Sequence, residues 1–133
     1  MQQRMTRRSD PRAWLNQAEN DLAFAQAGAR DGFYSQVCVL CQQASEKALK
    51  SMVLAKKKGV AFTHSLTELC RTLRINGQLL HAANVLDLYY TAGRYPDVLP
   101  GGAPYRNFSS EQAREALRFA GLFIKRARGT LKR

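Results

Sequence analysis

QQASEKALKSMVLAKKKG, residues Gln42 to Gly59 of the 133-residue chain, carries a long helical apolar stripe with lysines set into the same helix. From Val37 onward, apolar or small residues recur at Cys41, Ala44, Ala48, Met52 and Ala55. That spacing of three and four places side chains on one helix face and predicts a core helix. Lys47 and Lys50 border the stripe, and Lys56, Lys57 and Lys58 run up to Gly59. Such lysines can be a solvated flank whose stems lie along the apolar surface and whose charges offset the helix C-terminus. Set beside a buried face, they can equally serve as cations for an anionic ligand.

Composition limits the partners. Lysine and arginine total 21 against 10 aspartates and glutamates, a formal net charge of +11, and the sequence pI is near 10.1. Nucleotides, RNA, DNA and acidic protein surfaces are therefore the first classes to consider. A chain of this length is expected to form one domain with a single core. Of the three cysteines, Cys38 and Cys41 fall inside the helical pattern and Cys70 lies elsewhere. This is a poor disulfide framework and points to a reducing, cytoplasmic location. No strand precedes the Cys38–Cys41 spacing and no second pair follows it, so both are read as small buried residues rather than as metal or redox ligands. The N-terminus has no apolar signal region, and no run reaches the roughly 20 apolar residues of a membrane span. A soluble, unprocessed protein is expected.

Working outward from the central helix, residues 1–9 are polar and basic and read as a flexible arm, leaving residues 10–133 as the domain. Asp10 and Pro11 give a helix start, with Asp as N-cap and Pro at the first helical position. Trp14, Ala18, Leu22, Ala25 and Ala29 are expected to form the buried stripe of this first helix, with Gln17, Glu19, Asn20 and Asp21 in water. Asp31-Gly32 closes it. Ser65 and Glu68 form an S-x-x-E capping pattern ahead of a short third helix through Leu66, Leu69, Cys70 and Leu73. Asn76-Gly77 is a turn, and Leu79, Leu80, Ala83, Leu86 and Tyr90 carry a fourth helix to Gly93. Pro96 and the PGGAP run from Pro100 to Pro104 read as an exposed loop. Ser109 and Gln112 then cap a last helix with the stripe Ala113, Ala116, Leu117, Ala120, Ile124, Ala127 and Leu131. With no strand signal, the fold class is all-α, an up-and-down antiparallel bundle of four to five helices.

These segments together resemble the HEPN domain (higher eukaryotes and prokaryotes nucleotide-binding). The resemblance is carried by Trp14-Leu15-x-x-Ala18-x-x-Asp21-Leu22, by Gln42-Gln43-Ala44-x-Glu46-Lys47-Ala48-Leu49-Lys50, by Thr63-His64-Ser65-Leu66, and by Leu86-Asp87 and Tyr90 leading into Arg94-Tyr95-Pro96-Asp97. It implies a helical bundle, usually a homodimer, often partnered by a minimal nucleotidyltransferase in toxin–antitoxin-like pairs. It also implies, for many members, a metal-independent RNase in which four to six residues separate an arginine from a following histidine. Arg94 aligns by position with that arginine, yet no histidine follows it in the chain. Arg74 and His81 satisfy the spacing but lie upstream and straddle the Asn76-Gly77 turn.

The resulting expectation is a nucleotide- or RNA-phosphate-binding protein using Lys47, Lys50, His64, Arg94, Tyr95 and Asp97. It has ATP or GTP as possible ligands and no cofactor or metal. His64, just ahead of a helix start, would meet a phosphate or base where backbone N–H groups favour anions. Arg94 and Tyr95 offer a guanidinium for phosphate and a ring for stacking. The alternatives are an RNase toxin using Arg74 and His81, and a non-catalytic protein interaction module. The basic last helix, with Lys125, Arg126, Arg128, Lys132 and Arg133, reads as a solvated face or as a track for RNA.

Overall fold

The structure is a computed structural model that describes residues 10–59, 62–93, 103 and 107–132. Arg94, Tyr95 and Asp97, the basic arm and most of the Pro/Gly loop fall outside these residues. Five helices follow in order: α1 (Pro11–Arg30), α2 (Tyr34–Ala55), α3 (Leu66–Leu73), α4 (Gln78–Ala92) and α5 (Ser110–Leu131). No strand occurs among the described residues, so the all-α class holds. No helix among them is long and apolar enough to cross a membrane.

The helix starts follow their sequence signals. Asp10 accepts the Arg12 N–H at 2.9 Å ahead of Pro11. Ser109 and Gln112 make a reciprocal capping box, with the Gln112 N–H donating to Ser109 Oγ and the Ser109 N–H donating to Gln112 Oε1. At α3 only half of the expected box forms. Ser65 Oγ accepts the Glu68 N–H at 3.1 Å, while the Ser65 N–H donates to Thr63 Oγ1.

The turn Asp31-Gly32-Phe33 folds α2 back on α1, with Gly32 at φ +87° and the Phe33 N–H returning to the Gly28 carbonyl at 3.0 Å. From there α2 runs through the middle of the molecule and touches all four other helices. Val37, Cys38, Cys41, Ala44, Ala48, Leu49, Met52 and Val53 are all buried, so the helix is enclosed around most of its girth rather than along one face. Leu15 and Ala18 of α1, Leu66 and Leu69 of α3, Leu86 of α4 and Phe119, Phe123 and Ile124 of α5 complete the core. Gly93 ends α4 where a Cβ would collide with Val39 Cγ2 of α2, so only glycine allows these two backbones to approach.

The α1 stripe departs from expectation at two places. Leu15 is fully buried while Trp14 is only partly so, and Asp21, expected in water, is 8 % exposed. Asp21 lies one turn from both Ala18 and Ala25, within the stripe itself, and meets a lysine partner from α2 there.

α2 ends where its apolar stripe does. The helix stops at Ala55, before the lysine run, and closes with Lys57 N–H to Leu54 O at 3.1 Å and Lys58 N–H to Val53 O at 3.0 Å. Lys57 occupies the left-handed position at φ +54°, where glycine is normally preferred. Lys57→Gly should therefore raise unfolding stability by about 1 kcal/mol. Urea melts check this, and an unchanged or lower midpoint would contradict it.

Candidate functional site

The residues singled out on α2 make polar contacts to α1, to the loop before α3 and to α4. Lys47 Nζ lies 2.6 Å from Asp21 Oδ2 on α1. Lys50 Nζ lies 2.8 Å from Glu46 Oε2, one turn back on its own helix, and 5.6 Å from the centre of the Trp14 ring, within cation–π range. The Lys50 side chain is only 12 % exposed. Lys47 and Lys50 are thus not free surface cations, since each is matched to a carboxylate that is itself largely withdrawn from water.

Glu46 also reaches the loop before α3, where His64 Nδ1 sits 3.2 Å from Oε1 and 3.3 Å from Oε2. The imidazole stacks on Tyr90 of α4, with ring centroids 5.6 Å apart and planes 16° from parallel. Yet 64 % of the His64 side chain remains exposed. Its Nδ1 edge is fixed by a carboxylate and one face by an aromatic ring, so the open part of the ring is presented to solvent in a set orientation.

A second carboxylate holds the backbone around His64. Asp87 of α4 accepts the Leu66 and Thr67 N–H groups at 2.9 and 3.1 Å, the Ser65 hydroxyl at 3.3 Å and the Gln42 side-chain amide at 3.3 Å. Gln42 Nε2 also donates to the His64 carbonyl at 2.7 Å. Its Oε1 is buried with no partner among the described residues. The α3 N-terminus, expected to be open to a phosphate, therefore already carries an anion of the protein's own. A ligand at His64 has to be met by side chains rather than by those N–H groups.

The model of the HEPN domain matches residues 11–130. The chain belongs to the HEPN domain family. Among solved structures, the crystal structure of TT1696 from Thermus thermophilus superposes with a TM-score of 0.83 at 36% identity, covering 92% of this chain and 98% of that one. The crystal structure of ST0689, an archaeal HEPN homologue, gives a TM-score of 0.76 at 31% identity over 90% of this chain and 96% of that one. No curated protein gives a significant match. The HEPN family includes nucleotide-binding and RNase-type proteins.

On this HEPN fold Arg74 and His81 have local structural roles. Arg74 is exposed and takes the left-handed position that ends α3, at φ +56°, so that the Ile75 N–H returns to the Cys70 carbonyl at 2.8 Å. His81 stands in the first turn of α4, its N–H on the Gly77 carbonyl and its ring edge-on to Phe119 of α5. No contact joins the two among the described residues. The residues that sequence reasoning leaves out of the site are Asp21, Trp14, Gln42 and Tyr90, each in contact with one it names, and Asp87, joined to His64 through Gln42. Their signal is present, because all five stand in the segments that carry the family resemblance.

Proposed function

We propose that this HEPN protein binds a nucleotide or the phosphates of RNA as a homodimer, alongside a minimal nucleotidyltransferase, with no cofactor or metal of its own. The observation that carries the reading is His64, exposed but held by Glu46 and stacked on Tyr90. An aromatic pair with one open face offers a platform for a base, and an imidazole offers a donor to phosphate or ribose oxygen. Lys47 and Lys50 lie behind it as a matched pair with Asp21 and Glu46, and set the local field rather than presenting bare charge. Arg94, Tyr95 and Asp97 follow α4 in sequence and complete the set of proposed contacts.

Isothermal titration with ATP, GTP and a short single-stranded RNA tests this. His64→Ala is expected to weaken binding tenfold or more, about 1.4 kcal/mol, with a loss of similar size for Lys50→Ala and Arg94→Ala. Absence of binding at low salt, or affinity indifferent to all three changes, would overturn the reading. Light scattering checks the dimer against the 14.9 kDa chain mass.

One observation favours a second reading, an RNase. An imidazole whose Nδ1 is oriented by a carboxylate is the arrangement of a general base, and here it is formed by His64 and Glu46 rather than by His81. Incubation of the purified protein with tRNA separates the two, because cleavage abolished by His64→Ala and retained in His81→Ala would assign catalysis to that pair.

A further inference from the structure

A second basic site lies at the opposite end of α4 from Tyr90. The C-terminal ends of α2 and α5 and the start of α4 enclose an open groove of about 800 Å³, lined by Lys56, Lys125 and Arg126 together with Asn76, Gln78 and Thr130. No acidic side chain lines it, and none of the three cations has an ion-pair partner among the described residues. This is the reverse of the His64 cluster, where Lys47 and Lys50 are each matched to a carboxylate.

The bland explanation is that these cations offset helix dipoles, and its magnitude can be weighed. Two helix C-termini, those of α2 and α5, bring roughly half a negative charge each, and the α4 N-terminus returns about half a positive one. Three full positive charges are well in excess of that. The start of α4 adds donors as well. Its N-cap is Gly77, which has no side chain with which to cap. The first bond back along the helix there is His81 N–H to Gly77 O, which leaves the N–H groups of the preceding turn without intrahelical acceptors. Leu79 and Leu122 provide an apolar wall beside the charges, and the volume is within the range of sites that hold nucleotide-sized ligands.

We infer that this groove is a phosphate site for the polyphosphate group of a nucleotide, with Lys56, Lys125 and Arg126 neutralising the charge and the first turn of α4 donating hydrogen bonds. It is separate from the His64 cluster. Gln78 and Tyr90 are twelve residues apart on one helix, about 18 Å along its axis, so the groove stands whether or not His64 binds a ligand.

Calorimetry with tripolyphosphate, ATP and adenosine at low salt, combined with amide chemical-shift mapping, tests the assignment. Tripolyphosphate and ATP are expected to bind within about threefold of each other and adenosine not at all. The shifts should centre on Gln78, Leu79 and Leu80. The double substitution Lys125→Ala with Arg126→Ala, both exposed on α5, should weaken tripolyphosphate binding at least tenfold with the helical circular dichroism unchanged. Arg114→Ala, which removes an exposed cation of α5 outside the groove, should leave tripolyphosphate binding within twofold. No tripolyphosphate binding, shifts confined to the His64 region, or equal weakening of tripolyphosphate binding by Arg114→Ala would overturn the site. An RNA hexamer that displaced ATP from the groove at tenfold lower concentration would overturn its assignment to a nucleotide.

Discussion

Asp87→Ala is expected to lower unfolding stability by about 3 kcal/mol, equivalent to roughly 10 °C in melting temperature for a chain of this size. The carboxylate accepts two backbone N–H groups at the start of α3 together with the Ser65 hydroxyl and the Gln42 amide. A net contribution of about 1.5 to 3 kcal/mol is typical for a single bond to a charged group. With the Thr67 hydroxyl, which donates at 3.0 Å, five such bonds meet the carboxylate, and they do not add, because water can reach Ser65 and Thr67 once it is gone. Gln42 is different, being fully buried with an unpaired Oε1 already, and loss of its Asp87 contact leaves it only the His64 carbonyl. Asp87→Asn retains one acceptor and should recover about half of the loss, whereas Glu68→Ala, whose side chain does not complete the capping box, should cost under about 1 kcal/mol. Chemical denaturation of the three variants decides the point, and an Asp87→Ala protein within 1 kcal/mol of the parent would sink it. Since Gln42 ties the same network to the His64 carbonyl, Asp87→Ala should also weaken any ligand held by His64.

Asp87 also shows where sequence reading reaches and where it stops. The helices, their order and most of their caps are legible because each depends on residues close in sequence: Asp10 with Arg12, Ser109 with Gln112, the small residues at every third or fourth position of α2. The core helix is legible from its stripe, but a stripe defines only one face. Burial around most of the girth of α2 follows from four neighbours, and no pattern within α2 encodes them. The same limit applies to charge. Lys47 and Lys50 read as available cations because their partners are either distant, as Asp21 is at 26 residues, or adjacent but ambiguous, as Glu46 is. The α3 N-terminus reads as open to an anion because the carboxylate on its Leu66 and Thr67 N–H groups belongs to Asp87, some twenty residues downstream. Asp21 reads as solvated on residue type alone, although its position between Ala18 and Ala25 puts it on the buried face. Conversely, Lys56, Lys125 and Arg126 look like dispersed surface charge, and their convergence in one groove exists only in three dimensions.

Raising the pH from 8 to 10 should remove about 4 kcal/mol of stability, a large fraction of the 5 to 15 kcal/mol typical of a domain. The cause is the three cysteines. Burial, with the charge of Glu115 adding to it, pushes the Cys38 thiol from an ordinary 9.0 up to about 12. Burial, reinforced by Asp87 and opposed by Arg126, pushes Cys70 up to about 11. Burial with Cys38 close by raises Cys41 as well. Below pH 9 the thiols are protonated whether the chain is folded or not, so their contribution to stability is fully present. Above it the unfolded chain releases protons that the folded chain retains, and unfolding gains about 1.4 kcal/mol per thiol per pH unit until the folded values are reached. Three thiols over the single unit from 9 to 10 give the figure above. Urea melts under reducing conditions across that range measure the slope. Replacing all three cysteines by alanine should cut the loss to under about 1 kcal/mol, and Cys38→Ala alone should remove about a third of it if the triple variant folds poorly. Parallel pH profiles for parent and Cys38→Ala would show that the alkaline loss arises elsewhere. The same shifts bear on function, because a thiol held near 12 supplies almost no thiolate at neutral pH. Iodoacetamide at pH 8 should therefore leave the folded protein unlabelled.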